Sequence, residues 1–374
     1  MKITHVISDS NVGGAGILLS SLTSELKNYF DLEIIIPKGS SLLKRLPDGV
    51  KTTELPTSRD TSFNTKDVIT FRDYFKSNPA DIIHTHASLS ARIGGKLSGG
   101  ARCISTRHCA IPSAGVKKMA AAKRWLYEAS TDLTVSTADF ATENLVRSGL
   151  KREKIVTIKN GSKDLSGVKS KTDFSIYESL KIPYDRKIIG CVGRLEKIKG
   201  QDLLLRSARE ILKFYPDTHF VFVGCGSMAD EYKNLSSRLG IDKNVSFTGY
   251  VSDPSVYQKD FYINVNASRG TETSSLATSE CMSLGIPTVA SSFGGNREMI
   301  SHRKNGMIFI TDNVFSLTGA ILEILDDEEL YRSLSKSARV SFEENFTLSR
   351  MAESYKNLYL ALCNPVCSSP NLYL

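Results

Sequence analysis

The feature that most constrains this chain is an alternation running along its whole length: a short apolar run, a glycine-bearing turn, then a stretch with helical periodicity. Apolar runs at Ile3–Ile7, Leu32–Ile36, Ile82–Ile83 and Leu133–Val135 alternate with helical stretches such as Ile17–Tyr29, Val68–Lys76 and Lys117–Ala129. Runs apolar at successive positions suit strands buried on both faces, as in a parallel sheet covered by helices. Near Asn160–Gly161 the alternation stops, and Ser162–Lys181, rich in Lys, Ser and Asp, reads as a connecting segment. A second series follows, with strands expected at Lys187–Val192, Phe220–Val223, Val245–Phe247, Tyr262–Val265, Thr288–Ala290 and Met307–Ile310. A chain of 374 residues exceeds what one hydrophobic core usually supports. The expected fold class is therefore α/β, with two Rossmann-like domains at residues 1–165 and 187–345 and a linker over 166–186. Such arrays bind ligands outside the carboxyl ends of their strands, and the gap between two domains is the natural site. A last helix is expected over Leu348–Cys363, with Met351, Tyr355, Leu358 and Leu362 on its apolar face, before a frayed tail at Asn364–Leu374.

Composition narrows the function classes. With 41% hydrophobic and 24% charged residues the chain is an ordinary globular protein. No apolar run approaches the ~20 residues of a membrane-spanning helix, and Met1–Ser10 reads as a first strand, not a signal peptide. Seven scattered cysteines fit neither a disulfide framework nor a zinc pattern, which favours a reducing, cytoplasmic setting. Cys363 and Cys367 sit four apart, but a metal site there needs two further ligands. The net charge of +8 implies an anionic partner. Nucleic acid ranks last, because no helix-turn-helix, RNP or KH pattern is present; phosphorylated substrates and membrane headgroups remain.

Three clusters can carry chemistry. The turn Ser10-Asn-Val-Gly-Gly-Ala-Gly16 joins the first strand to the first helix. Gly13 and Gly14 there let a ligand approach the backbone and a helix N-terminus, although the spacing is not the full dinucleotide fingerprint. Gly193-Arg-Leu-Glu-Lys-Ile-Lys-Gly200 follows a strand and carries Arg194, Lys197 and Lys199 at its carboxyl end. Cations placed there suit a diphosphate, since a charge-assisted hydrogen bond contributes roughly 1.5–3 kcal/mol against about 0.3–1 kcal/mol for a helix dipole. The bland alternative is a solvated charged surface. Arg269-Gly-Thr-Glu-Thr-Ser-Ser-Leu-Ala-Thr-Ser-Glu280 follows the strand at Tyr262–Val265. Ser274 or Ser275 is the natural N-cap of a helix aimed at a phosphate, with Glu272 in the preceding loop and Glu280 on the helix. Eight helical residues span roughly 12 Å, beyond the roughly 5–9.5 Å of a glycosidase's paired carboxylates. That spacing leans against hydrolysis and suits two carboxylates gripping different hydroxyls of one ligand.

Gly-Arg-Leu-x-x-x-Lys-Gly, then Glu272-x7-Glu280, then Leu284-Gly-Ile-Pro-Thr-Val-Ala and Gly294-Gly-Asn-Arg-Glu298 resemble the retaining family 4 glycosyltransferases of GT-B fold. The Gly13–Gly14 turn, Asp81-Ile-Ile-His-Thr-His86, Thr106-Arg-His108 and Val156–Gly161 also look like that family, so the resemblance covers nearly the whole chain. It implies two Rossmann-like domains facing a cleft, with the C-terminal helix (about 346–374) crossing back to the N-terminal, acceptor-binding domain. The C-terminal domain would hold the nucleotide sugar. Arg194 and Lys199 would bind the donor's diphosphate, Glu272 the transferred sugar, and Glu280 the ribose hydroxyls. Backbone N–H groups around Ser274, Ser275 and Leu276, together with Gly193, would contact phosphate. His108 would meet the donor sugar, and Gly13 and Gly14 the acceptor and phosphate side. No metal and no cofactor is implied beyond a nucleoside-diphosphate sugar, a UDP-sugar first, as donor substrate. The resemblance points to enzymes of bacterial surface-polysaccharide assembly, with saccharide or lipid-linked saccharide acceptors. One departure stands out: the family's frequent Glu-Gly-Phe-Gly is Glu272-Thr-Ser-Ser275 here, and two fewer glycines limit backbone freedom.

His84 and His86 lie two apart on a strand end and share a face, so both or neither look toward the cleft; a structural role is the expectation. The basic stretch Lys117–Tyr127, with the only tryptophan, Trp125, suits an anionic membrane surface at the inner face of the cytoplasmic membrane. A solvated helix with Trp125 packed in the core is the equal alternative. The rival functions are another GT-B activity, such as a sugar-nucleotide epimerase or a phosphorylase, and a catalytically silent partner in polysaccharide assembly. A dinucleotide oxidoreductase ranks lower.

Overall fold

The apolar runs form the parallel strands of two compact units in the computed structural model, which describes residues 1–10, 13–110, 116–167 and 174–363. One unit is Met1–Gly161 together with the helix beginning at Leu348; the other is Ser162–Thr347.

The first unit has strands β1 (Lys2–Ile7), β2 (Asp31–Pro37), β3 (Lys51–Leu55), β4 (Ile82–His86), β5 (Arg102–Arg107), β6 (Leu133–Ser136) and β7 (Ile155–Thr157). Its helices are α1 (Gly14–Leu26), α2 (Thr65–Ser77), α3 (Leu89–Ser98), α4 (Ala121–Ser130) and α5 (Asp139–Arg147). Among the described residues these strands make one parallel sheet in the order β3-β2-β1-β4-β5-β6-β7. The second unit has β8 (Lys187–Val192), β9 (Thr218–Val223), β10 (Val245–Phe247), β11 (Ile263–Asn266), β12 (Thr288–Ser291) and β13 (Gly306–Phe309). They are ordered β10-β9-β8-β11-β12-β13. Its helices are α6 (Ile176–Leu180), α7 (Gln201–Ile211), α8 (Ala229–Leu239), α9 (Ser255–Gln258), α10 (Leu276–Ser283), α11 (Asn296–Met299), α12 (Val314–Asp326) and α13 (Glu328–Asn345). In each sheet the strand order reverses once, at β1/β4 and at β8/β11. Loops leaving the carboxyl ends on either side of such a reversal diverge and leave a crevice.

Burial on both faces shows in the period of two along the central strands. Ile189, Cys191, Phe220 and Phe222 enter one apolar cluster, while Ile188, Val221 and Val223 enter another on the opposite face. Helix α7 closes the first with Leu204, Ala208 and Ile211, and each fully buried leucine there is worth roughly 1.5–3 kcal/mol.

Several sequence expectations are corrected. Strands β3, β5 and β7 lie where no apolar run was apparent. The helix expected from Lys117 starts at Ala121, and Trp125 on it is 70% exposed, so it is not a core residue. Within the stretch read as a linker, Ile176–Leu180 is helical, and Ile176 and Ile182 are buried in a core cluster of the second unit. Asp164, just before it, takes a bidentate pair from Arg339 at 2.7 Å on both nitrogens. Residues 168–173, the Asn11-Val12 part of the first glycine turn, and the tail with Cys367 lie outside the described residues.

The last helix, α14 (Leu348–Cys363), belongs to the first unit. Met351, Tyr355 and Leu358 are buried as their spacing predicts, but the fourth fully buried side chain is Tyr359, not Leu362. The reason is chemical: the Tyr359 hydroxyl meets His84 Nδ1 at 2.7 Å, so its polar end is satisfied inside.

Candidate functional site

In the second unit the turn after β8 and the loop after β11, the two sides of the strand-order reversal, are pressed together by backbone contacts. Gly200, with φ +69°, caps α7 where an added Cβ would stand 2.2 Å from the Ala267 carbonyl oxygen. Only glycine fits both the left-handed backbone and that approach. Alongside, the Arg269 N–H donates to the Ile198 carbonyl at 2.8 Å. The Arg269 guanidinium pairs with Asp202 at 2.8 Å and Asp312 at 2.9 Å. Behind the loop, a Cβ on Gly295 would lie 1.5 Å from the Thr273 carbonyl oxygen.

This bracing brings Lys199 and Glu272 together: the Lys199 Nζ donates to Glu272 Oε2 at 2.8 Å, and the Ser268 hydroxyl donates to the same oxygen at 2.7 Å. The carboxylate is almost fully buried and the ammonium half-buried. Both line a concavity enclosing about 320 Å³ of non-atom space, part of it open to solvent, with Ser275, Ala277 and Thr278 of α10 on its wall. Ser275 is the N-cap, its side chain accepting the Thr278 N–H at 3.2 Å. The start of α10 therefore presents backbone N–H groups beside a lysine, a setting that attracts phosphate.

Glu280 sits one turn further along α10. Burial pushes its carboxyl up to about 7, against a hydrogen bond from Gln258; Asp253 adds to the rise and Lys163 opposes it. Gln258 is itself fixed by donating to the Ala277 carbonyl at 3.1 Å. The Thr273-Ser274-Ser275 variant costs the loop no left-handed backbone, because its one non-glycine residue with positive φ is Thr271, at +58°.

The structure does not gather every expected residue here. Gly193, with φ +154°, and exposed Arg194 follow β8 at the same strand end, but the concavity's wall is formed by Lys199 and not by them. Leu276 is the first residue of α10, and Ser274 is buried just before it. Gly13, Gly14 and His108 belong to the first unit. Gly13 is the N-cap of α1, and among the described residues no neighbouring atom lies within 4 Å of a Cβ added at Gly13 or Gly14. His84 and His86 share a face and are both buried; His108 follows β5 and is partly exposed.

Sequence reasoning missed Ser268, Gln258 and Asn266. The Asn266 side chain bridges Thr278 at 3.3 Å and Asn296 at 3.2 Å, and accepts the Ser268 N–H at 3.2 Å. The signal was available: Ile263-Asn-Val-Asn266 places asparagines at alternate positions of a buried strand, where amides need partners. Among the described residues, His5, His84 and His86 bring possible metal-ligand atoms within 4.8 Å of one another. Both ring nitrogens of His84 are taken by hydroxyls, Tyr359 at 2.7 Å and Thr106 at 2.6 Å. The group also contains no carboxylate to offset a buried dication.

Comparison with known proteins bears on both units. Residues 12–162 match the family model Glycosyltransferase Family 4, and residues 174–341 match Glycosyl transferases group 1. The chain is 24% identical over 379 aligned positions (96% of this chain, 97% of the relative) to the UDP-Gal:alpha-D-GlcNAc-diphosphoundecaprenol alpha-1,3-galactosyltransferase of Escherichia coli. It is 26% identical, over 83% of this chain and 78% of the relative, to the D-inositol 3-phosphate glycosyltransferase of Corynebacterium aurimucosum. Among solved structures, Anabaena Alr3699/HepE in complex with UDP-glucose superposes with a TM-score of 0.81 at 17% identity, covering 96% of this chain and 100% of that one. A glycosyltransferase from Rickettsia africae gives 0.81 at 19%, covering 97% and 99%. With two parallel-sheet units of this topology and a glycosyltransferase domain matched in each, the chain belongs to the GT-B glycosyltransferases, a family 4 N-terminal domain followed by a group 1 domain.

Proposed function

We propose that this glycosyltransferase is a retaining, metal-independent hexosyltransferase using a nucleoside-diphosphate sugar, with UDP-sugars the first candidates. The acceptor in this reading is a saccharide or lipid-linked saccharide of cell-surface polysaccharide biosynthesis. The observation that carries it is the Lys199–Glu272 pair, its carboxylate buried, joined to the N-terminus of α10 in one concavity at the β8/β11 reversal. Lys199, Arg194 and the α10 N–H groups stabilise the leaving diphosphate, Glu272 holds hydroxyls of the transferred sugar, and Glu280 holds the ribose. In the reaction the bond from the anomeric carbon to the phosphate oxygen breaks, and the bond to the acceptor oxygen forms on the same face. The acceptor's hydroxyl proton passes to the departing phosphate oxygen. Electrostatic stabilisation of that phosphate is then the main catalytic contribution, and the fixed cations take the part a metal plays elsewhere. His108 is the first-unit residue assigned to the transferred sugar, with Gly13 and Gly14 on the acceptor side.

The E. coli relative's name carries a UDP-sugar donor and a diphosphoundecaprenol acceptor, which supports the choice of UDP-sugars and of lipid-linked saccharides to test first. No helix among the described residues is long and apolar enough to cross a membrane. The scattered cysteines and the basic, Trp125-bearing α4 support a reading in which the protein works in the cytoplasm and meets the inner face of the membrane. The test is a thermal-shift panel of UDP, GDP, ADP and CMP with their sugar conjugates, followed by product analysis by NMR. One nucleotide should stabilise the protein, and the product should keep the donor's anomeric configuration. An inverted product, or nucleotide release unchanged in Lys199→Met, would sink the mechanism.

A further inference from the structure

The first unit has a crevice of its own at the β1/β4 reversal, between loops that leave the carboxyl ends of β1, β3 and β4. Its polar lining is Ser8, Thr57, Ser58, Thr61, Asp67 and Ser88, and it encloses about 230 Å³ of non-atom space, part of it open to solvent. Asp67 is the unexpected member of this wall. It continues the buried stripe of α2, Asp67, Phe71 and Phe75, in a position that suits an apolar residue. An acidic residue at the third position of a helix ordinarily reaches back to the N–H of the N-cap. Here the N-cap is Asn64, and its N–H is already given to the Ser90 hydroxyl at 2.8 Å. Asp67 Oδ2 instead accepts the Ser58 N–H at 3.1 Å.

Asp67 is only 6% exposed, yet among the described residues its Oδ1 has no hydrogen-bond partner and no lysine or arginine pairs with it. The hydroxyl of Ser8, a residue 8% exposed, is also without a partner among the described residues. Neither atom is sealed in packed protein, so both look into the crevice. An ionised carboxylate has about four acceptor sites. A buried one with a single donor is costly unless another group fills the rest.

We propose that this crevice is a saccharide subsite, in which Asp67 Oδ1 and the Ser8 hydroxyl hold a hydroxyl group of a sugar. Identifying that sugar as part of the acceptor rests on the reading of the first unit as the acceptor's domain. Charge decides the class of ligand. Asp9 follows Ser8, and burial, with the charge of Asp60 added, pushes its carboxyl up. Asp60 is tied to the same place, its N–H donating to the Ser8 carbonyl at 2.9 Å. Carboxylates around the mouth repel a phosphate, so the ligand is neutral and hydroxylated. A metal ion is not favoured, because the aspartates do not converge: among the described residues only His5, His84 and His86 gather closely enough to hold one.

The test is NMR on the full-length protein without nucleotide, with the methyl glycosides of glucose, galactose and N-acetylglucosamine as probes. At least one should bind, shifting the backbone amides of Ser58 and Ser88 in wild type. Its affinity should fall about tenfold or more in Asp67→Ala, and less in Asp67→Asn, which keeps the shape and one acceptor oxygen. UDP affinity should be unchanged in both variants, which also shows that they fold. Binding of none of the glycosides, or equal binding by wild type and Asp67→Ala, overturns the subsite and leaves the crevice to water. Shifts confined to the second unit overturn it without any variant. Asp67-dependent sugar binding in a protein whose KM for acceptor is unmoved by Asp67→Asn upholds the subsite and removes instead the acceptor reading of the first unit.

Discussion

On the ribose-holding role proposed for Glu280, nucleotide binding should depend on pH in a calculable way. Its carboxyl is raised to about 7 by burial. Only the ionised form accepts hydrogen bonds from two ribose hydroxyls at once. With that value, roughly nine-tenths of the protein is competent at pH 8 and roughly one-tenth at pH 6, so the apparent affinity falls about tenfold between them. The assay is isothermal titration with UDP at several pH values, for wild type and Glu280→Gln. The ligand's terminal phosphate also titrates near pH 6, so the informative quantity is the difference between the two proteins. Glu280→Gln should bind about ten- to a hundredfold more weakly at pH 8, the loss of one charge-assisted hydrogen bond, and should lack the extra pH slope. Identical slopes in the two proteins would refute the reasoning. Linkage gives a second check on the protein without nucleotide. A carboxyl raised on folding contributes stability fully below its ordinary value of 4.5, and that contribution fades as pH rises toward 7. The gap corresponds to roughly 3 kcal/mol, so wild type should lose stability relative to Glu280→Gln across this window.

Gly295→Ala should displace the Glu272 loop, because its Cβ would meet the Thr273 carbonyl at 1.5 Å, a backbone atom unable to swing aside. A stability loss of about 1–3 kcal/mol and weakened UDP binding are expected by thermal denaturation and titration. Gly319→Ala, on α12 with nothing among the described residues packed within 4 Å of the added Cβ, should instead stabilise slightly and leave binding alone. On α4, Trp125 is exposed beside Lys123 and Arg124. Wild type should float with vesicles containing anionic lipid, and Trp125→Ala should float markedly less; equal recovery with purely zwitterionic vesicles would remove the electrostatic part of that contact.

The legible parts of the fold were those whose chemistry is local. Ile188–Cys191 and Phe220–Val223 are apolar on both faces, and no other setting suits such runs. β3, Lys51-Thr-Thr-Glu-Leu55, escaped notice because it is an edge strand with half-exposed residues. β5 escaped because Ser105 and Thr106 look polar until their hydroxyls are seen serving Arg92 and His84. At the site, the spacing of Lys199, Glu272 and Glu280 was readable, and so was the Ser275 cap. The role of Gln258 was not, since it depends on α9 packing against α10. The meeting of His5, His84 and His86 beneath α14 was beyond sequence reasoning for the same reason: His5 and His86 lie 81 positions apart, and His84 meets Tyr359 across 275.

That last distance carries a consequence for how the chain is made. The second unit is one continuous segment, Ser162–Thr347, while the first is completed by α14, translated after it. On the ribosome the second unit can close as soon as it emerges. The first must wait with the His5–His84–His86 face of its sheet uncovered until Tyr355 and Tyr359 arrive. The last helix thus acts as a late closing piece, and the older half of the chain is the younger half of the folded molecule. Shortening the chain before Leu348 would leave the second sheet's core intact and strip the histidines of their cover.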